Sequence, residues 1–142
     1  MSVFLDTSVL LSASISDRGA SRYVINHSSV HNWSLFSSYY CYEETNRNLH
    51  ELGEVALSYF YQSIETKVTW QPDVIVSDNI VVFPKIKDKP VLLSAFGCRA
   101  DVLLTLDRKD FQKKLGEQFY GMSIRTPGCW LLELREQGLL AE

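Results

Sequence analysis

Two continuous apolar segments, each followed directly by an aspartate, constrain the fold of this sequence most strongly. Residues 3–5 (VFL) precede Asp6, and residues 102–106 (VLLTL) precede Asp107. Apolar side chains at successive positions, rather than at every second one, are typical of strands buried on both faces in a parallel sheet. Both segments therefore predict internal strands that end in an acid.

Further strand and helix patterns alternate along the chain. Strands are predicted at residues 34–37, 80–83 and 122–124. Helices are predicted at residues 20–27, 40–50, 52–68 and 89–98, with a last one capped by Thr126, starting at Pro127 and closing at Gly138. This alternation predicts one α/β domain over residues 1–142, a three-layer α/β/α sandwich with a mostly parallel central sheet.

Composition narrows the class of protein. No apolar run is long enough to span a membrane, and the N-terminus lacks the basic region of a signal peptide. Cys41, Cys98 and Cys129 are widely spaced without a CxxC motif, which favours reduced thiols in a cytoplasmic protein over a zinc or thiol-catalytic site. A net charge of −3 disfavours coating of nucleic acid by bulk charge, but it is compatible with a nuclease that concentrates carboxylates at one point.

The strand-end rule for open α/β sheets groups four acids. Ligands bind beyond the carboxyl ends of the strands, where Asp6 and Asp107 are expected. Asp88 precedes the helix that leads into the strand at residue 102, so it should lie at the same edge. Glu43 and Glu44 fall in the first turns of the helix that follows the strand at 34–37. Four elements therefore each direct an acid to one rim.

Grouped carboxylates predict a divalent cation. They repel one another unless a cation neutralises them, and hard ions such as Mg²⁺ prefer oxygen ligands. The expected chemistry is hydrolysis of a phosphodiester with Mg²⁺ or Mn²⁺. Asp101 begins the strand that ends before Asp107, roughly 20 Å from the rim, so it is excluded. Phosphate contacts are predicted for the basic residues that flank the acids, namely Lys85, Lys87, Lys89, Arg108 and Lys109.

Five stretches resemble the PIN domain nucleases. They are VFLDTSVLLSA at 3–13, EETNRNL at 43–49, DKPVLLSA at 88–95, ADVLLTLDRKDF at 100–111 and SIRTPGCWLLEL at 123–134. The resemblance implies a PIN-like fold and Mg²⁺- or Mn²⁺-dependent cleavage of RNA. It implies that the catalytic and metal-binding acids are Asp6, Glu44, Asp88 and Asp107.

The resemblance also refines individual positions. It selects Glu44 over Glu43, and it offers Asp110 as an additional acid, although a helix-junction role is the better explanation there. The side chains expected to orient the acids are Thr7, Ser8 and Thr105. Leu106 departs from the family, in which many members have a small or polar residue. Many small bacterial members act as toxins that are blocked by an antitoxin, and they often form homodimers. The resemblance therefore implies two protein partners, an antitoxin and a second copy of this chain.

Several alternatives stay open at this point. A catalytically silent PIN-like module would bind RNA or a protein partner without cutting. A small-metabolite phosphohydrolase of the haloacid dehalogenase type needs a second acid where Ser8 stands, and a phosphoacceptor domain leaves the spacing of Asp88 and Asp107 unexplained. His27 and His31 are spaced as ligands on a helix face, but without a third ligand they are interpreted as surface residues.

Overall fold

The computed structural model describes residues 1–73, 89–107, 118–119 and 121–140. Its strands are β1 (Ser2–Leu5), β2 (Ser34–Ser38), β3 (Thr69–Gln71), β4 (Val102–Leu104), β5 (Gln118–Phe119) and β6 (Met122–Arg125). Its helices are α1 (Thr7–Ile15), α2 (Ala20–Asn26), α3 (Tyr39–Leu52), α4 (Glu54–Tyr59), α5 (Lys89–Gly97) and α6 (Pro127–Glu136). None of these helices is long and apolar enough to cross a membrane.

The strands form one sheet in the order β3-β2-β1-β4-β6-β5. The first five strands in this order are parallel, and β5 pairs antiparallel with β6 at the edge. The chain moves from β1 outward to β3, then returns to β4 on the other side of β1. The boundary between β1 and β4 is therefore the topological switch point, where open α/β sheets bind their ligands.

Burial of successive residues shows that both faces of the sheet are covered. Val3, Phe4 and Leu5 in β1 are fully buried, as are Leu103 and Leu104 in β4. Neighbouring side chains on a strand point to opposite faces, so complete burial requires packing on each face. Helix α1 packs against α2 and α3, and α5 packs against β2. The predicted three-layer α/β/α architecture is confirmed.

The prediction of one continuous helix over residues 52–68 is wrong, because the structure has several shorter helical segments there. Gly53 has φ 120° and ψ 169°, a conformation essentially restricted to glycine, and it separates α3 from α4. A π-helical turn (Phe60–Ile64) and a 3₁₀ turn (Glu65–Lys67) then continue α4. Leu52 and Val55, expected on the apolar face, are 59% and 89% exposed.

Three short elements were not expected from the sequence, and one strand was predicted too long. Helix α1 follows β1 without a loop because Asp6 itself is the N-cap. Strands β3 and β5 have three and two residues, too few to show a pattern. Strand β4 ends at Leu104 rather than at residue 106. The strand predicted at residues 80–83 lies outside the described residues.

The C-terminal helix α6 matches its predicted signals. The Thr126 side chain accepts a hydrogen bond from the Cys129 amide at 3.2 Å, and Pro127 occupies the first position. Gly138 has φ 71°, and beyond it the Leu139 amide donates to the Leu134 carbonyl at 2.8 Å. This arrangement satisfies the last carbonyls of the helix in the manner of a glycine cap.

The backbone conformation of Gly53 predicts that alanine destabilises the protein at this position but not at another glycine, Gly128. We expect Gly53→Ala to lower the free energy of unfolding by about 1–3 kcal/mol, because a Cβ strains this conformation although space around it is open. Gly128→Ala is the matched control, since Gly128 lies in helix α6 with equally open surroundings and alanine favours helices. Urea denaturation measures both. Equal stabilities of the two variants would contradict the prediction.

Candidate active site

Asp6 and Asp107 lie at the carboxyl edge of the sheet on either side of the switch point. Asp6 directly follows β1, and its amide donates to the Leu104 carbonyl at 3.0 Å, which continues the pairing of β1 with β4. Asp107 lies three residues beyond the end of β4. The strand-end argument placed both acids at this edge, and the structure agrees.

The carboxylate of Asp6 is buried and held by three donors. Its Oδ1 accepts from the Thr7 amide at 2.8 Å. Its Oδ2 accepts from the Ser8 hydroxyl at 2.9 Å and from the Thr105 hydroxyl at 2.7 Å. With only 7% of the residue exposed, these bonds largely replace the water that the carboxylate loses on burial.

Each of the two hydroxyls also accepts a backbone amide from the loop after β4. The Leu106 amide donates to Ser8 Oγ, and the Asp107 amide donates to Thr105 Oγ1, both at 3.0 Å. Because an amide proton occupies one side of each hydroxyl oxygen, the hydroxyl's own proton is available to point at Asp6. The two hydroxyls thus connect the position of Asp6 to that of the loop that carries Asp107.

The expected orienting residues divide into two kinds. Ser8 and Thr105 bind Asp6 through their side chains, as predicted. Thr7 contributes its backbone amide instead. Its buried hydroxyl lies near the Cys41 thiol but makes no hydrogen bond among the described residues.

A cavity of about 200 Å³ opens beside Asp6 and contains three of the four predicted acids. Its lining consists of Asp6, Thr7, Ser8, Leu11, Tyr40, Glu44, Asn48, Val91 and Asp107. Glu44 is half-buried and faces this cavity, whereas its neighbour Glu43 is exposed and is not part of the lining. The geometry therefore favours Glu44 over Glu43, as the motif resemblance did.

Burial dominates the electrostatics of Asp6. Desolvation raises the pKa of its carboxyl above the ordinary value of 3.8, although the hydrogen bonds from Thr105, Ser8 and the Thr7 amide oppose this. The negative charge of Glu44 raises the pKa further. No cationic side chain contributes to this balance among the described residues. A divalent ion in the cavity would supply the missing positive charge.

The donor set suits Mg²⁺ or Mn²⁺, although the described residues hold no preformed cage. No group of three His, Cys, Asp or Glu side chains within the described ranges is arranged to hold an ion. Mg²⁺ is commonly bound by one or two carboxylates plus water and substrate phosphates, so a complete protein cage is not needed. The buried carboxylate of Asp6, which no cationic side chain of the described residues compensates, fits this mode of binding together with the nearby Glu44 and Asp107.

Several predicted site residues fall outside the described part of the chain. These are Asp88, Asp110, Lys85, Lys87, Arg108 and Lys109. Lys89 is the first residue of α5, the helix that Asp88 immediately precedes in sequence. Asp101 lies just before β4, where its Oδ2 accepts from the Ser2 amide at 2.7 Å, so its exclusion from the rim was correct.

Sequence reasoning missed two polar residues that line the cavity. Tyr40 and Asn48 stand one helical turn on either side of Glu44 in α3. Their four-residue spacing places all three on one face of the helix, so the helical period was the signal that identifies them. Tyr40 packs against the core as well as lining the site, whereas its neighbour Tyr39 is 51% exposed.

The other chemically suggestive groups have structural roles. Burial raises the pKa of the Cys41 thiol to about 11, and the charge of Asp6 adds to this, so the thiolate nucleophile is suppressed. His27 and His31 are half-buried rather than on the surface as expected. Their rings stack on Tyr23 and Trp33, with centroids 3.9 and 4.4 Å apart.

No protein-family model matches the sequence, and no curated protein matches it either. The resemblance to PIN domain nucleases therefore rests on the sequence motifs alone.

The raised pKa of Asp6 predicts a pH-dependent cost to stability. The folded protein holds this proton more tightly than the unfolded chain, so stability is lost as pH rises from the unfolded value through the folded one. We expect the melting temperature of Asp6→Asn, relative to wild type, to increase as the pH rises from about 4 toward 8 in EDTA. Thermal unfolding monitored by circular dichroism tests this. A difference that is constant or shrinks with rising pH would refute it.

The hydroxyl of Thr105 gives a second prediction. We expect Thr105→Val to lower the free energy of unfolding by about 1–3 kcal/mol, because it removes a donor to buried Asp6 and leaves the Asp107 amide without its acceptor. Ser14→Ala is the control, since the Ser14 hydroxyl is also buried but donates only to the Leu10 carbonyl within its own helix. Chemical denaturation gives the free energy of unfolding of each variant. A control that loses as much stability as Thr105→Val would show that the network at Asp6 is not special.

Proposed function

We propose that this protein is a metal-dependent endoribonuclease that hydrolyses RNA phosphodiester bonds. One observation carries the proposal: the cavity at the switch point brings buried Asp6 together with Glu44 and Asp107. Helix capping also brings acids such as Asp73 to this edge, but three acids that line one cavity at the switch point are the arrangement expected of a ligand site. The PIN-like motifs at these same positions support nuclease chemistry in particular.

Asp6, Glu44 and Asp107 would hold Mg²⁺ or Mn²⁺, with Asp88 as the fourth acid. When bound, the ion would lower the pKa of a coordinated water and offset negative charge on the phosphoryl oxygens. The side chains around the cavity would orient the acids that bind the ion. Ser8 and Thr105 fix the carboxylate plane of Asp6, and the side chains of Leu11 and Val91 give the cavity apolar walls that strengthen charge interactions inside it.

We extend the proposal to the residues that would contact RNA and to a role in a toxin–antitoxin pair. The basic residues Lys85, Lys87, Lys89, Arg108 and Lys109 would contact phosphates beside the acids. The size of the chain and its motifs fit the toxin of a cytoplasmic toxin–antitoxin pair, which would act as a homodimer and be blocked by its antitoxin. The toxin, antitoxin and homodimer assignments come from the resemblance, and the phosphate contacts from the position of the basic residues beside the acids.

A catalytically silent module is the second candidate. It is favoured by the finding that the acids of the cavity, within the described residues, are not arranged to hold an ion by themselves. Such a protein would bind RNA or a partner through the same edge of the sheet without cutting. Retention of an acid at each of the four motif positions favours the enzyme.

The direct test is cleavage of end-labelled single-stranded RNA with Mg²⁺ or Mn²⁺ and with EDTA. We expect metal-dependent cleavage, and a fall of roughly 100-fold or more for Asp6→Asn and Glu44→Gln, because a catalytic ion contributes several kcal/mol to transition-state stabilisation. Both carboxylates are replaced by neutral side chains of similar shape.

Two acids provide matched controls for this assay. Glu43→Gln changes the exposed neighbour of Glu44, and Asp101→Asn changes a carboxylate at the opposite edge of the sheet. Both variants should cleave at the wild-type rate. Cleavage that survives in EDTA would overturn the metal-dependent mechanism. Wild-type protein that binds RNA but cuts neither RNA nor a matched DNA strand would favour the silent module.

A further inference from the structure

Glu44 is held in α3 by the residues one turn before and one turn after it. The Tyr40 hydroxyl donates to Glu44 Oε2 at 3.3 Å. The Asn48 side-chain amide donates to the Glu44 main-chain carbonyl at 2.7 Å. All three residues line the cavity that contains Asp6, so one face of α3 forms a polar wall of the candidate site.

The start of α3 fixes the position of Tyr40. The Tyr40 amide donates to Asp73 Oδ1 at 3.1 Å, and the Cys41 amide donates to Ser38 Oγ at 3.2 Å. Ser38 ends β2, and Asp73 lies two residues beyond β3. Both caps therefore come from the carboxyl ends of strands, so the base of the tyrosine is anchored to the same sheet edge that carries Asp6.

Glu44 needs such support because it faces another carboxylate. Its negative charge interacts unfavourably with Asp6 across the cavity. A glutamate side chain has several rotatable bonds, so without a partner it would turn toward solvent and away from Asp6. A neutral phenol donor stabilises the carboxylate in place and adds no positive charge that would compete with a metal ion.

We propose that Tyr40 is the positioning residue of Glu44, holding its carboxylate toward Asp6 so that the two can share a divalent cation. This inference rests on the proposed metal-dependent function. The 3.3 Å separation is long for a hydroxyl–carboxylate bond, whose usual range is about 2.5–3.0 Å. Bonds of this kind are often long before the ligand binds and shorten in the assembled complex.

The test compares Tyr40→Phe with Tyr42→Phe by titrating Mn²⁺ into the full chain in a calorimeter. Tyr42 lies on the same helix and is half-buried, and its hydroxyl donates to Glu65 Oε2 at 2.9 Å, away from the cavity. We expect Tyr40→Phe to weaken Mn²⁺ binding by about 10–100-fold, as loss of a group that orients a metal ligand usually does. Tyr42→Phe should bind Mn²⁺ as wild type does.

RNA cleavage distinguishes a positioning role of Tyr40 from a purely structural one, through its dependence on the Mn²⁺ concentration. The rate of Tyr40→Phe should recover toward wild type as Mn²⁺ is raised, because the ligand itself remains. Unchanged Mn²⁺ affinity in Tyr40→Phe, or an equal loss in Tyr42→Phe, would overturn the role of Tyr40. Failure of wild type to bind Mn²⁺, or of Glu44→Gln to weaken it, would instead overturn the proposed metal site and the inference with it.

Discussion

The burial of one carboxylate between two parallel strands governs the carboxyl edge of this sheet. Asp6 directly follows β1, caps α1 and accepts hydrogen bonds from the hydroxyls of Ser8 and Thr105. A buried carboxylate is costly unless such partners replace its water, and here they do so without cancelling its charge. The remaining electrostatic cost appears as the raised pKa, and the loop that carries Asp107 is positioned by the same hydroxyls.

The chemical nature of these partners explains why the cost persists. A lysine or arginine bonded to Asp6 would lower the pKa of its carboxyl but would also occupy the position a cation needs, and no such side chain contributes among the described residues. The Ser8 and Thr105 hydroxyls orient the carboxylate of Asp6 without neutralising its negative charge, which can then attract a cation. Tyr40 serves Glu44 in the same way. Loss of stability at a functional site is a common pattern in enzymes, and the raised pKa of Asp6 is what the proposed function would lead us to expect.

Much of the sheet could be predicted because its signal lies in consecutive residues. The apolar segments before Asp6 and Asp107 identified β1 and β4, and the strand-end rule then placed both acids. The break at Gly53 was missed because apolar spacing continues across it, while backbone conformation leaves no trace in that pattern. Tyr40 was missed because its role depends on which face α3 presents, and tertiary packing decides that.

The hydrogen bond from Thr105 to Asp6 joins residues that are 99 positions apart. A contact of such long range must overcome the entropy of closing a long loop before it contributes stability. During synthesis, β1 and α1 leave the ribosome long before β4 exists to pair with them. Asp107 therefore cannot join Asp6 and Glu44 until β4 has been synthesised and has paired with β1. A nascent chain can therefore contain Asp6 and Glu44 without the cavity that groups them with Asp107, so whatever the cavity does begins only after β4 has joined the sheet.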